Sequence, residues 1–139
     1  MKIAVVYWSG TGNTEAMANA VLEGVTAAGV EGALLTAAEF TADQVAEYDA
    51  IAFGCPSMGV ESLEESEFEP MFRACEPSLA GKKLALFGSY GWGDGEWMRS
   101  WEQTCADAGV ALACESVICN EAPDDDGVAK CNALGAALA

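Results

Sequence analysis

Apolar residues along this chain concentrate in short runs, at 3–7, 32–35, 50–53, 84–87 and 110–119. Runs of this length without clean alternation suit strands buried on both faces of a parallel sheet. Between them lie segments with helical spacing. Residues 14–28 place Met17, Val21, Leu22 and Val25 on one stripe, and 96–108 place Trp97, Trp101 and Cys105 at four-residue intervals. Shorter helical patterns cover 44–47 and 68–75, and 126–138 closes the chain. Five strands alternating with helices predict a doubly wound α/β sandwich with right-handed crossovers. No linker, repeat or low-complexity stretch interrupts the pattern, so residues 1–139 are expected to form a single domain.

Composition narrows what such a domain does. The formal net charge is -16, from 22 acidic and 6 basic residues. That surface repels nucleic acid and favours partners with basic faces. No apolar run approaches the roughly 20 residues that span a bilayer, and residues 1–3 lead straight into a strand. A cytoplasmic protein with no membrane segment is the expectation. The chain has no histidine, which excludes Ser-His-Asp and Cys-His catalysis and histidine-containing zinc sites. Its six cysteines form no Cys-x-x-Cys pair, and most stand in apolar or helical contexts, as buried structural thiols do.

In a doubly wound sheet, ligands bind beyond the C-terminal ends of the strands. The first such loop, Ser9-Gly10-Thr11-Gly12-Asn13-Thr14, joins a strand to a helix N-terminus. Backbone N–H groups and the helix dipole there favour a phosphate. The loop has no Lys, so it is not a Walker A loop, and Glu15 stands where a dinucleotide fingerprint needs its third small residue. Ser9 and Thr11 replace the acidic residues of a phospho-acceptor site. Such a cradle holds a phosphate still and performs no chemistry on it. The loop after the third strand runs Gly54-Cys55-Pro56-Ser57-Met58-Gly59-Val60-Glu61. Met58 can lie flat on a ring, and the peptide before Gly59 can turn over without a steric penalty. The loop after the fourth strand, 88–97, sets Tyr90 and Trp92 among four glycines, which suits stacking on a planar ligand. Asp94 or Gly95 is expected to cap the helix that follows. A phosphate at one end and a flat ring at the other describe flavin mononucleotide (FMN).

These pieces resemble a short-chain flavodoxin of the anaerobic, clostridial type. The segments that carry the resemblance are 7–15, the Gly54-Cys55 and Met58-Gly59 loop with Glu61, and 87–97. The resemblance covers the whole length. It implies a three-layer flavodoxin-like fold, with a five-stranded parallel sheet in the order 2-1-3-4-5, non-covalent FMN and one-electron transfer. Ser9, Thr11, Asn13 and Thr14 would hold the phosphate, with Trp8, Gly10 and Gly12 in the same cradle. Met58 and Trp92 would flank the isoalloxazine, Gly59 would offer its carbonyl to N5–H of the semiquinone, and Glu61 would face N3. Pro56, Ser57, Ser89, Tyr90, Gly91, Gly93 and Trp97 complete the expected cofactor-binding set. Two positions depart from the family pattern: Val60, where many relatives are acidic, and Pro56, which replaces a small residue.

Under this reading the protein is a low-potential electron carrier and not an enzyme. A hydrogen bond to N5–H is worth about 1 kcal/mol, or roughly 40 mV. Surrounding carboxylates oppose the anionic hydroquinone by about 0.4 kcal/mol each at about 10 Å in water-like surroundings. Its partners would be reductases and low-potential acceptors with basic docking faces, met by a monomer. The alternative is an FMN-dependent quinone or nitro reductase, which needs a nicotinamide site and open space above the ring.

Overall fold

The computed structural model describes residues 1–58 and 62–139. Its centre is a five-stranded, all-parallel sheet in the order β2-β1-β3-β4-β5. The strands are β1 (Lys2–Tyr7), β2 (Glu31–Thr36), β3 (Ala50–Gly54), β4 (Lys83–Tyr90) and β5 (Val117–Asn120). Helices α1 (Asn13–Ala27) and α4 (Asp125–Leu138) cover one face, and α2 (Phe68–Cys75) and α3 (Glu96–Asp107) cover the other. Alternate strand residues supply the two cores. Ile3, Val5, Ala52 and Phe87 pack with Met17, Val21 and Leu134. Val6, Ile51, Phe53 and Leu86 pack with Phe68, Phe72 and Trp101. Both faces are therefore apolar, which is why β3 and the middle of β4 are buried without alternation. The second core is largely aromatic: Phe53 meets Phe72 edge-on at 5.1 Å, and Trp101 meets Phe68 at 5.4 Å.

The elements lie close to their expected positions, with three differences. The apolar run 110–119 forms a strand only at Val117–Asn120. Before it, Leu112 makes an isolated bridge to Leu84, and the intervening Glu115 is exposed. An edge strand has one partner, and this run contains few β-branched residues, so pairing lapses where the side chains turn polar. A 3₁₀ turn at Ala37–Glu39 also follows β2, its start closed by the Thr36 N–H donating to Glu39 at 2.8 Å. The expected turn at 44–47 is a six-residue 3₁₀ segment, Ala42–Glu47. Of the two expected caps for α3, Gly95 takes the position, in the left-handed region and with no side-chain bond, while exposed Asp94 pairs with Arg99 at 3.0 Å.

Candidate cofactor site

The C-terminal ends of β1, β3 and β4 open on a cavity of about 300 Å³. The loop after β1 contributes Trp8, Gly10, Thr11 and Asn13; the loop after β3 contributes Pro56, Ser57 and Met58. The end of β4 adds Ser89, Tyr90 and Gly91, and the turn after β5 adds Glu121. Two larger depressions, about 420 and 500 Å³, lie along the β5 edge and at the opposite end of β4. Neither is lined by residues of the loops after β1, β3 or β4. The smaller cavity stands where a parallel sheet places its ligand, and its size falls within the range of small-molecule sites.

Backbone bonds fix the loops to one another. Trp8 N–H donates to the Gly54 carbonyl at 3.0 Å, Cys55 N–H to Phe87 at 3.1 Å, and Ser57 N–H to Ser89 at 2.9 Å. The hydroxyls of Thr14 and Ser89 meet at 2.8 Å, both buried, and tie the start of α1 to β4. In the first loop, Ser9 Oγ accepts from the N–H of Gly12 at 3.1 Å and of Glu15 at 3.2 Å. Both bonds use oxygen lone pairs, so the Ser9 proton remains available to an anion. Gly12, at φ 96°, turns the chain into α1 and caps it without a side chain. That conformation favours glycine, and it leaves first-turn N–H groups for an external acceptor. The Tyr7 hydroxyl donates to Glu15 at 3.1 Å; burial, then this carboxylate, pushes the phenol above its ordinary pKa.

In the β3 loop, Met58 and Ser62 bond reciprocally, N–H to carbonyl, at 2.8 and 3.0 Å. Gly59 and Glu61 lie outside the described residues. Two residues after Ser62 comes Glu64, only 6% exposed. Burial opposes its charge, but the Ser66 hydroxyl and the N–H groups of Phe68, Glu67 and Ser66 all donate to it and hold its pKa at about 2. Glu64 thereby anchors the start of α2. Its own N–H points at the Cys55 sulfur, 3.4 Å away. Burial drives the Cys55 thiol up to about 12, so it stays protonated at neutral pH.

Among the residues expected on the β4 side, Ser89, Tyr90 and Gly91 line the cavity. Trp92 and Gly93, also expected there, fall outside that lining and are exposed, Trp92 to 62%. Trp97 lies in the core at 1% exposure, behind Tyr90 at a ring separation of 5.6 Å, with its indole N–H donating to the Cys55 carbonyl at 3.2 Å. It supports the loop from beneath. Ser9 and Gly12 line an adjoining depression of about 380 Å³, which Trp8 and Gly10 share with the main cavity. Sequence reasoning missed Glu121. Among the described residues it is the one non-glycine with positive φ, 58°, and its N–H donates to the Tyr90 carbonyl at 2.8 Å. The rule that sites lie at strand ends points to it only when β5 is ended at Asn120.

The donor set fits FMN. The phosphate end offers hydroxyls and first-turn N–H groups, and the other end offers Met58 and Tyr90. The flavodoxin family model matches residues 5–135. A flavodoxin of Megasphaera elsdenii is 49% identical over 137 residues, covering 99% of this chain and 98% of its own. One of Clostridium beijerinckii is 42% identical over 121 residues, covering 87% and 88%. The solution structure of two-electron reduced Megasphaera elsdenii flavodoxin superposes with a TM-score of 0.90 at 48% identity, covering 98% of this chain and 97% of that one. With matches this extensive, a sheet in this order and a cavity at its switch point, the chain belongs to the flavodoxin family and is a one-electron carrier that binds FMN.

Proposed function

We propose that FMN is held in the cavity above β1, β3 and β4, its phosphate in the 9–14 loop and its ring between Met58 and Trp92. The observation that carries this reading is the Ser9 hydroxyl, which accepts from one loop N–H and one in the first turn of α1 and keeps its proton for an anion. FMN, when bound, supplies the capacity to take up and release one electron at a time. Thr11 and Asn13 line the cavity beside the first turn of α1 and act as further phosphate donors. Thr14 braces that turn through Ser89. Tyr90 and Met58 keep water from the ring, and the exposed Trp92 covers its outer face. Gly59 and Glu61 are proposed to meet the nitrogen edge of the ring.

Electrons pass to and from partners across an acidic surface. Glu65, Glu67, Asp94, Glu96 and Glu121 are exposed in or beside the segments that follow β3, β4 and β5, and they suit partners with basic faces. The chain acts as a single-domain monomer in this reading. No helix is long and apolar enough to cross a membrane, a statement that covers the described residues. The quinone or nitro reductase alternative is not favoured, since among the described residues no Arg or Lys lines the cavity to receive nicotinamide phosphates.

The test compares FMN with riboflavin, which lacks the phosphate. Ser9→Ala weakens FMN by about tenfold or more, the worth of a hydrogen bond to a charged group, and leaves riboflavin affinity within about twofold. Equal losses for both ligands would remove the phosphate from this loop.

A further inference from the structure

We propose that Glu67 is a positioning residue: its carboxylate pins Trp8 as the wall of the cofactor pocket at the phosphate loop and so strengthens FMN binding. The inference rests on the FMN reading of this pocket.

Trp8 stands between two depressions and lines both, the main cavity of about 300 Å³ and its neighbour of about 380 Å³. Its backbone is fixed by the bond to Gly54. Its ring leans on the phosphate loop: a Cβ built on Gly10 would lie 3.0 and 3.2 Å from its Cη2 and Cζ3 atoms. The side chain has one polar tether, the indole N–H donating to Glu67 Oε1 at 3.1 Å. Without it, the neighbouring depression gives the ring room to rotate away from Gly10.

Glu67 is itself well placed to serve as an anchor. Its N–H donates to the buried Glu64 carboxylate at 2.7 Å, which fixes its backbone. It occupies the N-cap of α2, yet no side-chain capping bond forms there, so its carboxylate serves Trp8 and not the helix. Substitution should leave α2 intact, because Glu64 holds the helix start. The proposed link runs from the Glu64 carboxylate, through Glu67, to Trp8 and the phosphate loop.

Charge and geometry predict opposite signs. As a bare negative charge near the pocket, Glu67 would repel the phosphate dianion, and its removal would tighten FMN. As a pin, its removal loosens the wall and weakens FMN. Glu67→Gln separates the two, since it keeps an oxygen acceptor and drops the charge.

FMN and riboflavin are titrated into flavin-free wild type, Glu67→Ala and Glu67→Gln, following the quenching of flavin fluorescence. Exchange of the Trp8 indole proton is followed by NMR on isotope-labelled protein without flavin. Expected is a three- to tenfold rise in the Kd for FMN in Glu67→Ala, about the worth of one such bond, with less change for riboflavin. Glu67→Gln binds FMN within about twofold of wild type or more tightly, and indole exchange accelerates in the alanine variant alone. Alanine binding as tight as wild type or tighter, or glutamine as weak as alanine, overturns the pin. If wild type does not distinguish FMN from riboflavin, the phosphate assignment falls instead. The indole exchange still decides: unchanged exchange in Glu67→Ala overturns the pin by itself.

Discussion

Glu64→Gln lowers stability at neutral pH by about 3 kcal/mol, and the loss shrinks as the solution is acidified. In the folded chain Glu64 has a pKa of about 2; unfolded, an ordinary Glu titrates near about 4.3. The folded value is the lower one, so the carboxylate stabilises the fold fully above the unfolded pKa and loses that contribution as pH falls toward about 2. A difference of a little over two units corresponds to about 3 kcal/mol at 1.36 kcal/mol per unit. The amide keeps one acceptor oxygen but turns an NH₂ toward either the two Ser66 donors or the N–H groups of Glu67 and Phe68. Urea unfolding of both proteins across pH 7 to 2.5 measures the gap. A gap constant with pH would show that the four donors do not hold the charge.

Gly88→Ala removes about 3 kcal/mol or more of stability and lowers FMN affinity by over tenfold. A Cβ at this position would stand 2.1 Å from the Cys55 carbonyl oxygen and 3.2 Å from the Trp97 ring. That oxygen is backbone, accepts the Trp97 indole N–H at 3.2 Å, and belongs to a residue bonded to Phe87. No flexible side chain can move aside, so β3 and β4 must part where the cavity begins. Gly91→Ala is the control for stability: its Cβ would meet nothing within 4 Å, and its stability should match wild type to within about 0.5 kcal/mol. Urea unfolding and FMN titration of the two variants decide. A Gly88→Ala protein as stable as Gly91→Ala would show that the close approach is relaxed in solution.

The sheet was legible because its central strands are apolar on both faces: Ile3–Tyr7 and Ala50–Phe53 read as strands and are strands. The phosphate loop was legible because its composition is itself the chemistry, hydroxyls and glycines before a helix without Lys. Position 97 shows the limit. Trp97 belongs by sequence to the aromatic loop, but its place in the helical stripe with Trp101 buries it beneath that loop. Glu121 and the Trp8–Glu67 contact were not legible. The first depends on where an edge strand stops. The second joins residues 59 positions apart, which no local pattern connects. Glu64 was hidden for a related reason: among Glu61, Glu64, Glu65 and Glu67, nothing in the sequence says which carboxylate turns inward. Only the fold, by bringing the α2 N–H groups to it, makes that choice.

The measurement that bears most directly on one-electron transfer is a stepwise reductive titration of the FMN-loaded protein, followed by visible absorbance. The expected result is two resolved one-electron steps, with a blue one-electron-reduced flavin accumulating between them. The second step should lie at least roughly 120 mV below the first, two decades at 59 mV each. The net charge of -16 works in that direction by opposing the second electron. A single two-electron transition with no blue intermediate would contradict the account.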